Sequence, residues 1–176
     1  GIEGNSFYTG NFAYSVSDNG RLVYLSGSDA FESGSRVDIA WVDKDGSREA
    51  LPLPEGTYGN INLSPEQDRL AMTSYDGTGS DVWIWNLEQQ IFSRLTFHDD
   101  AAYPVWSPDG SEVIYQRTRP PFGLWATSSD GTGRASMLTE SQQPLYPETI
   151  SPDGQVIFSV GDNTARKLYS SNLSDE

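Results

Sequence analysis

One turn motif, recurring at a nearly constant step, constrains this chain more than anything else in it. Val105-Trp106-Ser107-Pro108-Asp109-Gly110 runs into Ser111-Glu112-Val113-Ile114-Tyr115. Pro108 presets the backbone for the first corner of a turn, and Asp109 and Gly110 supply a tight reversal between two apolar strands. The device returns as Ile150-Ser151-Pro152-Asp153-Gly154 before Gln155 to Phe158, as Leu63-Ser64-Pro65-Glu66 before Arg69 to Met72, and more loosely as Val16-Ser17-Asp18-Asn19-Gly20 before Leu22 to Tyr24. The serines at 17, 64, 107 and 151 stand 47, 43 and 44 residues apart. A fixed period of this size marks a repeat architecture.

Each repeat reads as four short strands. The first contains Phe12 to Val16, Arg21 to Ser26, a polar loop from Gly27 to Arg36, Asp38 to Asp43, and Arg48 to Leu53. Pro54 to Gly59 reads as a loop before the second repeat, whose strands are Ile61 to Leu63, Arg69 to Ser74, Asp81 to Trp85 and Phe92 to Phe97. The third has Tyr103 to Trp106, Glu112 to Arg117, Leu124 to Thr127 and Ser136 to Thr139; the fourth has Pro147 to Ile150, Gln155 to Val160 and Lys167 to Ser170. Third-strand residues Ile39, Val82, Leu124 and Leu168 hold the register at steps of 43, 42 and 44. Pro or Gly interrupts every window long enough for a helix. A β-sandwich shows strands every 8–12 residues without a four-strand super-period, so the pattern predicts an all-β β-propeller of four blades, each of four antiparallel strands and about 44 residues. The whole chain, 1–176, reads as one domain with blades at about 11–54, 59–98, 102–140 and 146–176. Residues 1–10 are expected to supply the strand that completes the last blade, within one chain or between two chains of a homodimeric larger ring.

Trp-Ser-Pro-Asp-Gly ahead of an apolar strand, Asp-x-Trp in the third strand and Arg-Leu-Thr in Ser93-Arg94-Leu95-Thr96-Phe97 resemble the WD40-like repeat of the TolB type. Residues 39–53 are similar to propellers attached to some bacterial serine/threonine kinases. The resemblance spans essentially the whole chain and implies the propeller fold; related repeats serve in periplasmic TolB, in peptidase gating domains and in sensor modules. The motif drifts in two places. Gln67 stands where Gly110 and Gly154 stand, at an expected cost of about 1 kcal/mol for positive φ, and Asn19 replaces the Pro-Asp pair, where an asparagine tolerates positive φ.

Charge narrows the partners. Eleven Lys and Arg against 25 Asp and Glu give a net charge of −14, which repels phosphate backbones and anionic lipid surfaces. Nucleic acid and membrane are therefore not expected partners, and no apolar run approaches the roughly 18 residues of a span. Residues 1–30 lack a basic start followed by an apolar core. With no cysteine there are no disulfides and no thiol chemistry, a composition compatible with either periplasm or cytoplasm.

The sequence offers little to catalysis. His98 is the one histidine, and the chain has no Gly-x-Ser-x-Gly elbow to pair with it, so no catalytic residue is assigned. Asp43 to Gly46, Asp76 to Asp81 and Asp130 to Gly133 loosely resemble calcium loops, but each lacks the bidentate acid and sits where a hairpin must turn, so no metal and no cofactor is expected. Trp41, Trp83 and Trp125 occupy equivalent strand positions, or one residue from them, and read as packing between blades rather than a sugar platform. Asn172-Leu173-Ser174 is a short sequon match of the kind chance supplies.

One face of the disk remains. Loops before strand 1 and between strands 2 and 3 emerge on the same side of a blade. Tyr58, His98, Asp99, Asp100, Tyr103, Arg117, Arg119 and Tyr146 are expected to gather there, with Asp29, Arg36 and Arg166. Aromatics and arginines in such a cluster suit a protein or peptide partner. The expected function is a non-enzymatic binding module; the rival is an accessory sensing or gating propeller of a larger kinase or peptidase.

Overall fold

The structure, a computed structural model, describes residues 14–26, 38–161 and 166–172. The described residues form fifteen strands in four antiparallel sheets. The first contains β1 (Tyr14–Val16), β2 (Leu22–Ser26), β3 (Asp38–Val42) and β4 (Arg48–Ala50); the second β5 (Thr57–Leu63), β6 (Arg69–Tyr75), β7 (Ser80–Asn86) and β8 (Ile91–Arg94). The third holds β9 (Ala101–Trp106), β10 (Glu112–Arg117), β11 (Phe122–Ser128) and β12 (Ser136–Ser141), and the fourth β13 (Leu145–Ile150), β14 (Gln155–Gly161) and β15 (Arg166–Asn172). Within each sheet the strands follow chain order as an up-and-down meander. The innermost strands β1, β5, β9 and β13 lie successively against one another. This is a four-bladed β-propeller arrangement. Residues 1–13, the expected source of a completing strand, and the loop 27–37 lie outside the described residues.

The blades stack because their central strands are apolar on both sides. In β6, Leu70 and Met72 face the first blade, where they meet Val23, Leu25, Ile39 and Trp41, while Ala71 faces the third. In β10, Val113 and Tyr115 face the second blade with Val82 and Ile84, and Ile114 faces the fourth with Leu145 and Val156. Alternation with period two thus feeds two cores from one strand. Each such side chain, fully removed from water, stabilises by about 1.5–3 kcal/mol. The tryptophans belong to these interfaces: Trp41 and Trp85 to the first, Trp106 and Trp125 to the second.

The recurring turn has a common internal wiring. Ser107 donates its hydroxyl to Asp109 Oδ1 at 2.7 Å and accepts from the amide of Glu112 at 2.9 Å, while Gly110, at φ +68°, donates its amide to the Ser107 carbonyl at 2.9 Å. Ser151, Asp153, Gly154 and Gln155 repeat this. In the first blade Asn19 takes the aspartate's part, accepting from Ser17 at 2.6 Å, and the positive φ of +82° falls on Gly20 rather than on Asn19 as the sequence suggested. Gln67 does carry positive φ, +62°.

Three strand limits differ from expectation. β5 begins at Thr57, inside the expected loop, because Tyr58 buries its ring. β4 and β8 end early, yet Leu51 still donates to the Ile39 carbonyl and Leu95 to that of Val82, so the chain keeps its course past the ladder. A bulge recurs in the first strand of blades two to four, near Asn60, Tyr103 and Glu148. Asn60 and Tyr103 take φ of +47° and +57°, which re-aims the side chain at the mouth of the disk.

Candidate functional site

The loop face is built outward from two buried carboxylates. Asp81, at the start of β7, is 4% exposed. It accepts from the Thr96 hydroxyl at 2.5 Å, from the amides of His98 at 3.1 Å and Asp99 at 3.3 Å, and from Arg94 Nη2. Arg94 also holds Asp99 at 2.8 Å, and Thr96 Oγ1 accepts the Val82 amide at 2.9 Å. The Asp-x-Trp and Arg-Leu-Thr segments of this blade therefore meet in space: the aspartate of one is the shared acceptor for the arginine and threonine of the other. Their joint effect is to fold 96–99 back over the blade, with Asp99 at φ +57° and Gly79 so close that a Cβ there would lie 2.1 Å from the Asp99 carbonyl oxygen.

Asp100 is the second carboxylate, 3% exposed, and Arg117 binds its Oδ2 through Nε at 2.8 Å and Nη2 at 2.7 Å. The Asp100 carbonyl takes the Thr118 amide at 2.7 Å, which fixes the loop leading to Arg119. Arg119 in turn donates Nη2 to the Thr78 carbonyl at 3.1 Å, joining the second and third blades. Beneath lies Tyr115, fully buried, its hydroxyl without a partner among the described residues. Burial, with smaller contributions from the nearby Asp100 and Asp81 against Arg117, pushes this phenol up to about 12.

Across the disk's mouth the third blade meets the fourth through aromatic rings. Tyr103 and Tyr146 pack edge to face, centroids 5.1 Å apart, and Arg166 lies 3.5 Å over the Tyr146 ring. The Tyr103 amide donates to Thr73 Oγ1 at 3.2 Å, tying this bulge to the second blade. Burial raises the Tyr103 hydroxyl above its ordinary value, assisted by Tyr146 and opposed by Arg166. Glu148 sits beside this group and accepts from Ser159 at 2.7 Å.

The expected residues divide by position. His98, Asp99, Asp100, Arg117 and Arg119 form one hydrogen-bonded strip, and Tyr103, Tyr146 and Arg166 form a second patch on the same face. His98, Asp99 and Arg119 are exposed, Tyr103, Arg117 and Tyr146 half-buried. Tyr58 joins neither group: it is 3% exposed, packs on Phe92 and donates its hydroxyl to the Pro54 carbonyl at 2.7 Å between the first two blades. Asp29 and Arg36 lie outside the described residues. Sequence reasoning passed over Asp81 and Arg94 as site residues, although the Arg-Leu-Thr match pointed at two residues of the network. The loosely calcium-like carboxylates serve their turns: Asp76 accepts from Thr78 and Gly79, and Asp130 from Ser128 and Thr132.

With this geometry in hand, comparison with known proteins is informative. No family model matches the chain. Over 110 residues it is 29% identical to the Tol-Pal system protein TolB of Anaeromyxobacter sp. (strain K), covering 60% of this chain and 25% of that protein. The chain thus spans about a quarter of the length of the curated relatives it matches. Among solved structures, a putative TolB from Agrobacterium tumefaciens superposes with a TM-score of 0.74 at 18% identity, over 91% of this chain and 60% of that one. TolB from Acinetobacter baumannii gives 0.66 at 17%, over 92% and 43%. A prolyl endopeptidase gives 0.61 at 15%, over 93% and 29%, a likeness of fold.

Proposed function

We propose that this chain, a TolB-type β-propeller repeat protein, is a non-enzymatic module that binds a protein or peptide through the loop face containing His98, Asp99, Tyr103, Arg119 and Tyr146. The observation that carries this reading is the wiring of that face. Arg94 and Arg117 are held by Asp81, Asp99 and Asp100, and Arg119 is tied to Thr78, so loops from two blades form one fixed surface. A surface ordered before association loses less side-chain and loop freedom on binding. Tyrosine and arginine are also the residue types that concentrate binding energy at interfaces. The relatives' designation as Tol-Pal system proteins supports a role among protein partners. Similarity to a prolyl endopeptidase and a puromycin hydrolase supports a second reading, an accessory propeller of a larger enzyme. Self-association into a larger ring accompanies the first reading as a proposal about assembly.

Titration calorimetry tests the binding reading once a partner has been isolated on the immobilised chain. His98→Ala and Arg119→Ala combined should weaken that partner by about tenfold or more, the scale of interface residues that each contribute about 1 kcal/mol. A partner that binds this variant and the native chain equally would remove the loop face from consideration.

A further inference from the structure

Arg166 makes the closest ring contact of the described arginines, 3.5 Å over Tyr146. Arg21, Arg69, Arg94 and Arg117 each pair with a carboxylate, whereas Arg166, like Arg48 and Arg119, forms no ion pair among the described residues. Stacking fixes the plane of a guanidinium and leaves its edges for hydrogen bonds. Two donors on one edge, Nε and Nη2, are shielded from solvent and have no acceptor among the described residues, the guanidinium's hydrogen-bonding influence within the fold going to the Tyr103 hydroxyl. Leaving shielded charged donors without acceptors is unfavourable, and a native structure satisfies such groups with water, an ion or a ligand. The pair is a side-on fork, the arrangement of parallel N–H groups that matches the two oxygens of a carboxylate.

A second buried polar atom points to the chemistry of the occupant. Gln116 is 2% exposed and its Oε1 lacks a donor among the described residues. It follows Ile114 by two positions in β10, so it faces the same junction of the third and fourth blades. A ligand bringing a carboxylate together with an N–H satisfies both kinds of orphan, and a peptide carries both. Bound there, the carboxylate sits against the rings of Tyr146 and Tyr103, away from bulk water, where an ion pair is screened least. We infer that the Nε–Nη2 edge of Arg166 receives a carboxylate of a peptide at the mouth between the third and fourth blades. This rests on the loop-face reading above and specifies the chemistry of its ligand.

The test is a nitrogen–proton correlation spectrum of the arginine Nε–H groups in the native chain, with the Arg166 signal identified by its loss in Arg166→Lys. Three probes separate the sources of a carboxylate: N-acetylalanine with its free C-terminal group, N-acetylaspartate α-amide with a side-chain group, and N-acetylalanine methylamide with neither. A saturable shift of the Arg166 signal is expected with one or both carboxylate probes at about 1–10 mM, as suits a small fragment, and none with the methylamide. No saturable shift with either carboxylate, or an equal shift with the methylamide, overturns the inference. The titration is made on the native chain, and if Arg166→Lys fails to fold the signal is assigned instead by its through-space contact with the Tyr146 ring. A protein partner that binds Arg166→Gln and the native chain equally, yet loses the His98 and Arg119 double variant, also overturns it while sparing the loop-face reading.

Discussion

Gln67 is the residue at which the repeat works against its own geometry. Its φ of +62° matches the +68° of Gly110 and the +87° of Gly154, so the turn demands a left-handed residue and this blade meets the demand without glycine. Gln67→Gly should therefore stabilise by about 1 kcal/mol, and Gly110→Val should destabilise by about 1 kcal/mol or more, both read as shifts of the urea midpoint. An unchanged midpoint for Gly110→Val would refute this account, because the site has room: the nearest atoms to an added Cβ are Arg69 Nη2 at 3.5 Å and Pro65 Cδ at 3.7 Å, and only backbone strain opposes the change. The turn aspartates add a pH signature. Hydrogen bonds from Ser107 and Ser111 hold Asp109 down to about 2 from 3.8, and similar donors do so for Asp76 and Asp130. A carboxylate depressed in the folded state contributes stability that is complete above the unfolded value and lost as pH falls through the folded one. The melting temperature should fall as pH drops from about 4 towards 2, and less steeply in Asp109→Asn; parallel slopes would contradict the assignment. The sequence showed the serine-to-glycine spacing because a period is visible in one dimension. It hid the serine–aspartate bond inside each turn, which is why positive φ was expected of Asn19 when Gly20 carries it.

Blades two and three show what one side chain does for a sheet. In the second, Asp81 gathers Thr96, Arg94 and two backbone amides, and so anchors the return from β8 to β9. In the third, Gly123 occupies the corresponding start of β11, and a Cβ there would lie 2.4 Å from the Thr139 carbonyl oxygen. The equivalent strands have approached so closely that no side chain fits. Asp81→Ala should cost about 1.5–3 kcal/mol, the scale for hydrogen bonds to a charged group, since Arg94 is part-exposed and keeps Asp99, measured by urea denaturation. A loss below about 1 kcal/mol would mean that Arg94 and Thr96 find other acceptors. Gly123→Asp should not transplant the device but destabilise the third blade by overpacking. At this scale the strands were legible from alternation and period, since both are local. Tyr58 was not. Its place near the start of a first strand suggested the loop face, but the ladder extends back to Thr57 and turns the ring inward against Phe92. Similarly, the Arg166 stack on Tyr146 joins residues from separate strands of a three-dimensional junction, and no spacing in the chain announces it.

Packing between blades also determines what the molecule as a whole presents. The second and third blades are covered on both sides, so Leu70, Met72, Val82, Val113 and Ile114 are fully buried or nearly so. The first and fourth have a blade neighbour on one side only among the described residues, and they carry exposed apolar groups: Val16 in β1 at 56%, and Leu168 and Tyr169 in β15 at 68% and 48%. β15 is, among the described residues, the outermost strand of a three-stranded sheet, and an edge of this kind is a template for another strand. A net charge of −14 opposes random aggregation, so association is expected only where these surfaces fit one another. Exposed apolar groups at both ends of the row of blades favour a head-to-tail contact, which closes when two chains complete a ring. Light scattering should therefore show a species near twice 19.4 kDa that gains population with concentration. Val16→Lys combined with Leu168→Lys should shift the balance to monomer without lowering the urea midpoint of the monomer, because both side chains are already in water. Monomer alone across the accessible concentration range, or a dimer indifferent to these two charges, would dismiss the two-chain ring and leave the four blades as a unit that presents its loop face singly.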